Sequence, residues 1–208
     1  ATLAQALAKC RANKGDYIIL MPKHAETVTS AGGITVSTAG VTVIGQGVGA
    51  NRPTFTFSTV VGASLLVNAI DFKMYNVIGV SGVDVLTGPI DIEASGCYID
   101  MEWQDPSSSL QAIRPVAIAA TAIVSNIYVK LKVQGITTGG TSPVNGVRIG
   151  GTLTNGIDVL LDLDFYGRAS TAVVEFVTLA SVDVRVIGTI YNSGVTSGAK
   201  NVVDTVTG

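Results

Sequence analysis

The sequence predicts an all-β fold, a right-handed parallel β-helix that is closed at its N-terminal end by an α-helix. Short segments that alternate apolar and polar residues follow one another from Tyr17 onward, separated by glycine, serine, threonine and asparagine. Related segments recur about every 30 residues, a period typical of solenoids. Only the segment 1–14 carries a helical pattern. We therefore expect one domain over 1–208, with the cap helix in 1–14 and the β-helix coils in 15–208.

The N-terminal segment has the features of a short amphipathic helix over 2–13. Thr2 and Gln5 have the spacing of a capping box, and residues 13–15, Asn-Lys-Gly, form a stop signal. The apolar residues of this segment lie along one helical stripe. A solenoid has open ends whose unpaired strand edges invite aggregation, so this helix is well placed to cover one of them. The members of the stripe are Leu3, Ala6, Leu7 and Cys10.

The predicted strands form two sets. In residues 157–167 the alternate residues are apolar, which predicts one dry face and one mostly wet face. The strands that begin near Tyr98, Tyr128, Asp158 and Asp183 are separated by about 30, about 30 and about 25 residues, respectively. Propeller signatures are absent, and the two Asn-Gly pairs lie between strands too unevenly spaced for a hairpin meander, which leaves the parallel β-helix. Strands are predicted at 17–21, 33–37, 41–45, 54–57, 97–103, 127–133, 157–167 and 182–192, and each of the last four is preceded by a shorter strand, at 89–94, 116–120, 145–151 and 172–177.

Composition excludes several classes of partner. The formal net charge is −2, from 13 basic and 15 acidic residues without a run of either sign, so no nucleic-acid-binding stripe is present. The longest uncharged apolar stretch, 115–129, is too short and too β-branched for a membrane span. Charged residues make up only 13% of the chain, which favours an oligomer that buries part of its surface.

Cysteine and histidine offer little chemistry. We expect Cys10 and Cys97 to be separate small hydrophobic residues and not a disulfide. Zinc is not expected, because the chain has one histidine and no C-x-x-C pair. His24 is expected on a loop of the first coil, at the surface or in a hydrogen bond. The glycine-rich stretch 45–53 leads into a further strand and not into a helix, so it is interpreted as a turn and not as a phosphate-binding loop.

Carboxylates two positions apart share one face of a strand and are the candidates for acid–base chemistry. The favoured interpretation of all three pairs is a solvated strand face, with Lys132 lying beside Asp162 on the neighbouring coil. The catalytic patterns of β-helix polysaccharide hydrolases and lyases are absent, so the sequence assigns no catalytic, cofactor-binding or metal-binding residue. Trp103, Tyr98 and Tyr128 are candidates for a sugar-stacking platform or for an interface. The three pairs are Asp91 with Glu93, Asp100 with Glu102, and Asp162 with Asp164.

Residues 15–57 resemble the opening of right-handed parallel β-helix proteins of the pectin-lyase-like class that tailed bacteriophages encode. In that class a cap helix precedes a strand with the pattern GD-x-I-x-L-x-P-G-x-Y, and a later G-V-T-V-I-G-x-G corresponds to residues 40–47. Lys23 and His24 replace the usual glycine, so the first turn departs from the pattern. The similarity is specific for about residues 2–57 and generic beyond them. The matching residues of the first pattern are Gly15, Asp16, Ile18, Leu20 and Pro22.

This resemblance implies a non-enzymatic structural protein of the virion, assembled in the cytoplasm of the bacterial host. We expect a homotrimeric capsid decoration or cement protein that binds and stabilises the shell of major capsid protein. The alternative is a tail fibre or tailspike module that binds a glycan of the host surface. A small polysaccharide-degrading enzyme is the third hypothesis. Neither nucleic acid nor a membrane is an expected partner. Trp103 and the C-terminal residues 201–208 are candidates for partner contact.

Overall fold

The computed structural model describes residues 1–118, 124–135, 145–150, 154–177, 179–193 and 200–204. These residues form one α-helix and sixteen β-strands. None of the helices among them is long and apolar enough to cross a lipid bilayer. The helix α1 spans Leu3–Leu7; the strands are β1 Tyr17–Leu20, β2 Ala25–Val28, β3 Ile34–Val36, β4 Thr42–Gly45, β5 Thr54–Phe57, β6 Leu65–Val67, β7 Lys73–Ser81, β8 Leu86–Ile92, β9 Tyr98–Gln104, β10 Ala112–Ile118, β11 Ile127–Gln134, β12 Asn145–Ile149, β13 Thr154–Gly167, β14 Ala172–Phe176, β15 Leu179–Asn192 and β16 Lys200–Asp204.

The strands form two parallel sheets that the chain visits in turn. The first sheet has the order β1-β4-β7-β9-β11-β13-β15, with β5 joining β2 to β7, and the second has the order β16-β14-β12-β10-β8-β6-β3. The paired strands of both sheets are parallel. Each strand therefore lies on the strand one coil earlier, which confirms the parallel β-solenoid. Its right-handedness stays a prediction.

The core lies between the two sheets and is built from the inward residues of every coil. In β13 the four apolar residues Val159, Leu161, Leu163 and Phe165 are buried, while Asp164 on the opposite side is exposed. The predicted dry and wet faces of this strand are thus confirmed for the described side chains. Because strands of parallel sheets stack about 4.8 Å apart, the inward residues of successive coils form continuous apolar rows.

The cap helix is shorter than predicted. The capping box is confirmed: Gln5 N–H donates to the Thr2 hydroxyl, and Thr2 N–H donates to the Gln5 side chain. However, α1 ends at Leu7 and not at residue 13, because the following amides return to carbonyls only three positions earlier and Asn13 N–H then bonds to the carbonyl of Ala39. Leu3 and Leu7 are buried, so even this short helix closes the apolar end of the solenoid.

The register between coils differs from the prediction at one step. Strand β9 pairs with β11, and β13 with β15, at the predicted offsets. Between β11 and β13 the offset is longer than predicted, so Lys130 and not Lys132 lies opposite Asp162. Lys132 lies opposite Asp164 instead. The prediction was wrong because the path from β11 to β13 is longer than one regular period.

Candidate ligand-binding groove

A groove crosses the outer face of the first sheet, where β9, β11, β13 and β15 end. Its main cavity has a volume of about 810 Å³. A smaller hollow of about 370 Å³ adjoins it and shares Gln104, Lys132 and Gln134 with it. The main cavity is lined by Gln104, Asp105, Pro106, Lys132, Val133, Gln134, Gly135, Asp164, Phe165, Tyr166, Thr189 and Tyr191.

Two outward rows of side chains run across these coils. One row places Glu102, Lys132 and Asp164 opposite one another on successive strands. The other row begins with Gln104 and Gln134 and continues through Tyr166 to Tyr191. Since neighbouring strands are about 4.8 Å apart, amides, carboxylates and phenol rings meet here within the length of a few sugar units.

The two tyrosines give the groove an exposed aromatic wall. The rings of Tyr166 and Tyr191 are stacked, with centroids 4.8 Å apart and an interplanar angle of 13°. They are 56% and 53% exposed, respectively, so much of their apolar surface remains open to a ligand. Tyrosine combines an apolar ring with a hydrogen-bonding hydroxyl, which suits a ligand that carries both kinds of surface.

Glu102 is a buried carboxylate that is already fully engaged. Its oxygens accept hydrogen bonds from Arg52 at 2.5 Å and from the Gln104 amide at 2.7 Å, and Lys132 Nζ lies 3.7 Å away. Burial alone would raise the pKa of Glu102, but these donors and cations outweigh it and hold the pKa below its ordinary value. Glu102 therefore serves to fix the side chains between the two hollows.

Asp105 is a buried acid at the back of the groove. Its Oδ1 accepts hydrogen bonds from Trp103 Nε1 at 2.9 Å and from Ala112 N–H at 3.1 Å. Burial raises the pKa of Asp105 to about 6, against the opposing effect of these two donors, and the nearby charge of Asp84 adds to the rise. Asp105 thus titrates within the range of mildly acidic solutions.

The predicted carboxylate pairs have different environments. Asp162 is half-buried and Asp164 exposed, in agreement with a solvated face. The solvated interpretation is wrong for Glu93 and Glu102, which are buried. Burial, together with the charge of Glu93, raises the pKa of Asp91 to about 7. Asp91 and Glu93 lie at the end of β8 in the second sheet, so they do not line the groove.

The predicted aromatic platform is divided between the inside and the outside of the solenoid. Tyr98 lies outside between Tyr75 and Tyr128, with ring centroids 4.7 Å apart in both pairs. Trp103 is 0% exposed and packs inside against Phe57, so its prediction as an exposed contact residue was wrong. Its strand position explains this result, because Trp103 lies on the inward side together with Ile99. Of the C-terminal candidate 201–208, residues 205–208 lie outside the described residues.

The remaining sequence predictions concern single residues and one loop. Cys10 and Cys97 are free thiols, and burial raises the pKa of Cys97 to about 11, as expected for an inert core cysteine. His24 Nε2 lies 3.2 Å from Glu26 Oε2, which confirms a hydrogen-bonded histidine at the first coil. The stretch 45–53 forms a turn with a short 3-10 helix at Gly49–Asn51.

Within the described ranges, no group of three or more histidine, cysteine, aspartate or glutamate residues is close enough to hold a metal ion. No protein family model matches the chain, and neither does any curated protein or solved structure. The chemistry of the groove therefore has to be inferred from its own residues.

Sequence reasoning missed the groove residues, above all Asp105, Gln134, Tyr166 and Tyr191. The sequence did contain a signal for Gln134, Tyr166 and Tyr191. Gln134 follows Gln104 at the offset that was correctly predicted between β9 and β11, and Tyr191 follows Tyr166 at the offset that was correctly predicted between β13 and β15. Asp105 gave no such signal, because it lies at a corner after β9 and its burial depends on the packing of β10.

Proposed function

We propose that this chain is a non-enzymatic binding protein of a bacteriophage particle that recognises a glycan of the host surface through its groove. The observation that carries the proposal is the cavity of about 810 Å³ with the exposed stacked rings of Tyr166 and Tyr191 on its wall. Apolar ring surface next to amide and carboxyl groups is complementary to sugars, which have apolar C–H faces and many hydroxyl groups.

The contacts of Glu102 agree with binding more than with catalysis at this carboxylate. Glu102 is saturated by Arg52, Gln104 and Lys132, and it has no free oxygen to offer a reacting bond. Another acidic pair, Asp91 with Glu93, lies on a different sheet. The assignment to a phage particle rests on the resemblance of residues 2–57, together with the confirmed solenoid fold.

A glycan array of bacterial capsule and lipopolysaccharide oligosaccharides tests this function. We expect the wild-type chain to bind a subset of the array and Tyr191→Ala to lose about tenfold in affinity, since a stacked aromatic contact is removed. Tyr17→Ala is the matched control, because Tyr17 is also an exposed tyrosine but lies on the first coil. Absence of binding to every glycan would refute the function, and new reducing ends in a bound polymer would make the protein an enzyme.

A capsid decoration protein is the second candidate, and one surface favours it. Tyr17, Ile19 and Met21 are 67%, 46% and 62% exposed, and they point outward from the edge strand β1 or from the position just after it. Exposed apolar side chains on a strand at the end of a sheet are typical of docking surfaces. This candidate predicts many copies on the head shell in electron micrographs, whereas the first predicts a few copies at the tail. Ile19→Asp should detach the protein from heads but not from tails.

A further inference from the structure

Asp105 presents one of its two carboxyl oxygens to the groove. Oδ1 is occupied by Trp103 Nε1 and Ala112 N–H, whereas Oδ2 accepts no hydrogen bond from the described residues. Oδ2 is not fully buried, and Asp105 lines the cavity. The two hydrogen bonds fix the orientation of the carboxyl group, so its free oxygen has a defined direction.

Gly135 leaves the path to this oxygen open. A methyl group added at residue 135 would lie 3.7 Å from Asp105 Oδ2 and 3.4 Å from the Cα of Gly167. These are ordinary contact distances, so the solenoid can accept alanine there, but the methyl group would stand over the oxygen. The absence of a side chain at residue 135 is therefore what gives a ligand access to Asp105.

The cavity wall carries more negative than positive charge. Asp105 and Asp164 contribute carboxylates, and the lysine of the wall, Lys132, is held 3.7 Å from the carboxylate of Glu102. Asp84, on the coil below, adds further negative charge near Asp105. An anionic ligand would meet repulsion here, whereas the hydroxyl groups of a neutral ligand would find acceptors.

We propose that the free oxygen of Asp105 selects the ligand, by accepting a hydrogen bond from a sugar hydroxyl that enters past Gly135 and by disfavouring glycans rich in uronic acids. This inference rests on the proposed glycan-binding function and assigns its specificity. A hydrogen bond to a carboxylate is stronger than one between neutral groups, and leaving a buried carboxylate without a partner is costly, so one residue can determine the choice.

Binding of a neutral sugar should depend on pH as a consequence. Burial raises the pKa of Asp105 to about 6, so the carboxylate becomes protonated just below neutral pH. Among the charged groups, Asp84 acts on Asp105 directly, and Asp164 and Lys132 line the same cavity, as do the uncharged side chains of Gln104 and Gln134. Affinity for a neutral sugar should fall as the pH decreases through about 6, because the charged acceptor is lost.

Trp103 supplies the measurement. It is the only tryptophan of the chain and is bonded to Asp105, so its fluorescence reports on that carboxyl group. The titrants are the neutral hexamer of N-acetylglucosamine and the anionic hexamer of galacturonate, at pH about 7.5. We expect the neutral hexamer to bind about tenfold more tightly, and Gly135→Ala and Asp105→Asn each to weaken it about tenfold. Asp105→Asn should also remove the pH dependence and narrow the difference between the hexamers.

Gly62→Ala is the matched control, since a methyl group there meets only the Cβ of Ala31 at 3.9 Å, far from the groove. Circular dichroism of each variant checks its folding. Unchanged affinity in folded Gly135→Ala and Asp105→Asn, or preference for galacturonate, would overturn the inference alone. A wild-type chain that binds array glycans but neither hexamer would overturn it as well. A wild-type chain that binds no glycan at all refutes the proposed function itself, which is a separate result.

Discussion

The indole Nε1 of Trp103 donates a hydrogen bond of 2.9 Å to Oδ1 of Asp105, and both side chains are buried. This bond connects the apolar interior of the solenoid with the wall of the groove. Trp103 fills the space between the sheets, and its only polar atom points to the acid that lines the cavity. Packing inside the solenoid therefore determines where Asp105 points on the outside.

Ionisation of Asp105 should lower the stability of the protein. Burial raises its pKa from 3.8 to about 6, so the folded chain retains a proton that the unfolded chain has already lost. The free energy of unfolding should therefore decrease by about 2 to 3 kcal/mol as the pH rises from about 4 to about 6. Urea unfolding at several pH values measures it. In Asp105→Asn the free energy of unfolding should decrease less over this pH range than in the wild type. The raised pKa of Asp91 affects the wild type and the variant equally, so it does not change this comparison. The same pH dependence of stability in both would contradict the prediction.

Gly79 is required because Trp103 packs directly over it. A methyl group at residue 79 would lie 2.6 Å from Cε3 of Trp103 and 2.8 Å from Cε of Met101. We expect Gly79→Ala to lower the free energy of unfolding by about 1 to 3 kcal/mol, because the core would be overpacked. The double variant with Trp103→Leu should lose less than the two single variants added together, as measured in urea. Strict additivity would show that the two residues do not share the space.

Arg52 should matter more for stability than Lys132, although both approach Glu102. The Arg52 side chain is mostly buried, whereas that of Lys132 is 54% exposed. Arg52→Met leaves a buried carboxylate without its main partner and should cost about 3 kcal/mol, whereas Lys132→Met should cost under about 1 kcal/mol. Thermal unfolding of both variants makes the comparison, and equal losses would contradict it.

The ion pair between Arg52 and Glu102 should stabilise the protein only at pH values at which Glu102 is ionised. The partners of Glu102 outweigh its burial and hold its pKa below the ordinary value of 4.5, so the stabilisation is present above that value and is lost as the pH falls through the lowered pKa. Arg52→Met should remove this acid-dependent loss, as measured by urea unfolding between neutral and acidic pH. A wild-type slope in the variant would exclude Glu102 as its source.

The cap helix should contribute more to the free energy of unfolding than its short length suggests. Leu7 is buried, and Leu3 N–H donates a 2.7 Å hydrogen bond to Glu26 Oε2, which attaches the helix to β2. Leu7→Ala should cost about 2 to 4 kcal/mol. Ala8→Ser, at an exposed position beside it, is the control and should be near neutral. Guanidinium unfolding measures both, and equal stability of the two variants would mean that the helix does not close the core.

The strands could be predicted because alternation and turn residues are local features. TFTF at 54–57 is a strand with the predicted limits, and the strands at 98–104 and 127–134 differ from the prediction by at most one position at each end. The helix was overextended because Cys10 continues the apolar stripe, while the chain is already drawn to the next coil by Asn13 and Ala39. A stripe alone does not record such a tertiary contact.

The groove could be predicted only in part, because it depends on the offset between coils. The offset from β11 to β13 is longer than the regular period, so Asp162 lies opposite Lys130 and not opposite Lys132. The pattern of apolar residues in the strands does not reveal the length of the segment that connects them. Burial of Glu102 and Asp105 was equally hidden. Acidic side chains at strand ends are usually solvated, and here only the combination of Arg52, Trp103 and Ala112 makes their burial possible.

Each coil forms hydrogen bonds with the coil that precedes it in the chain, so the coils can fold in the order in which they are synthesised. During synthesis the coil that α1 covers is completed before the later coils, so each later coil can pair with a strand that is already folded. Truncation of the chain after a complete coil should therefore leave the preceding coils folded. Deletion of residues 1–14 should instead impair folding of the later coils, because the first coil would lose the helix whose Leu3 and Leu7 cover its core.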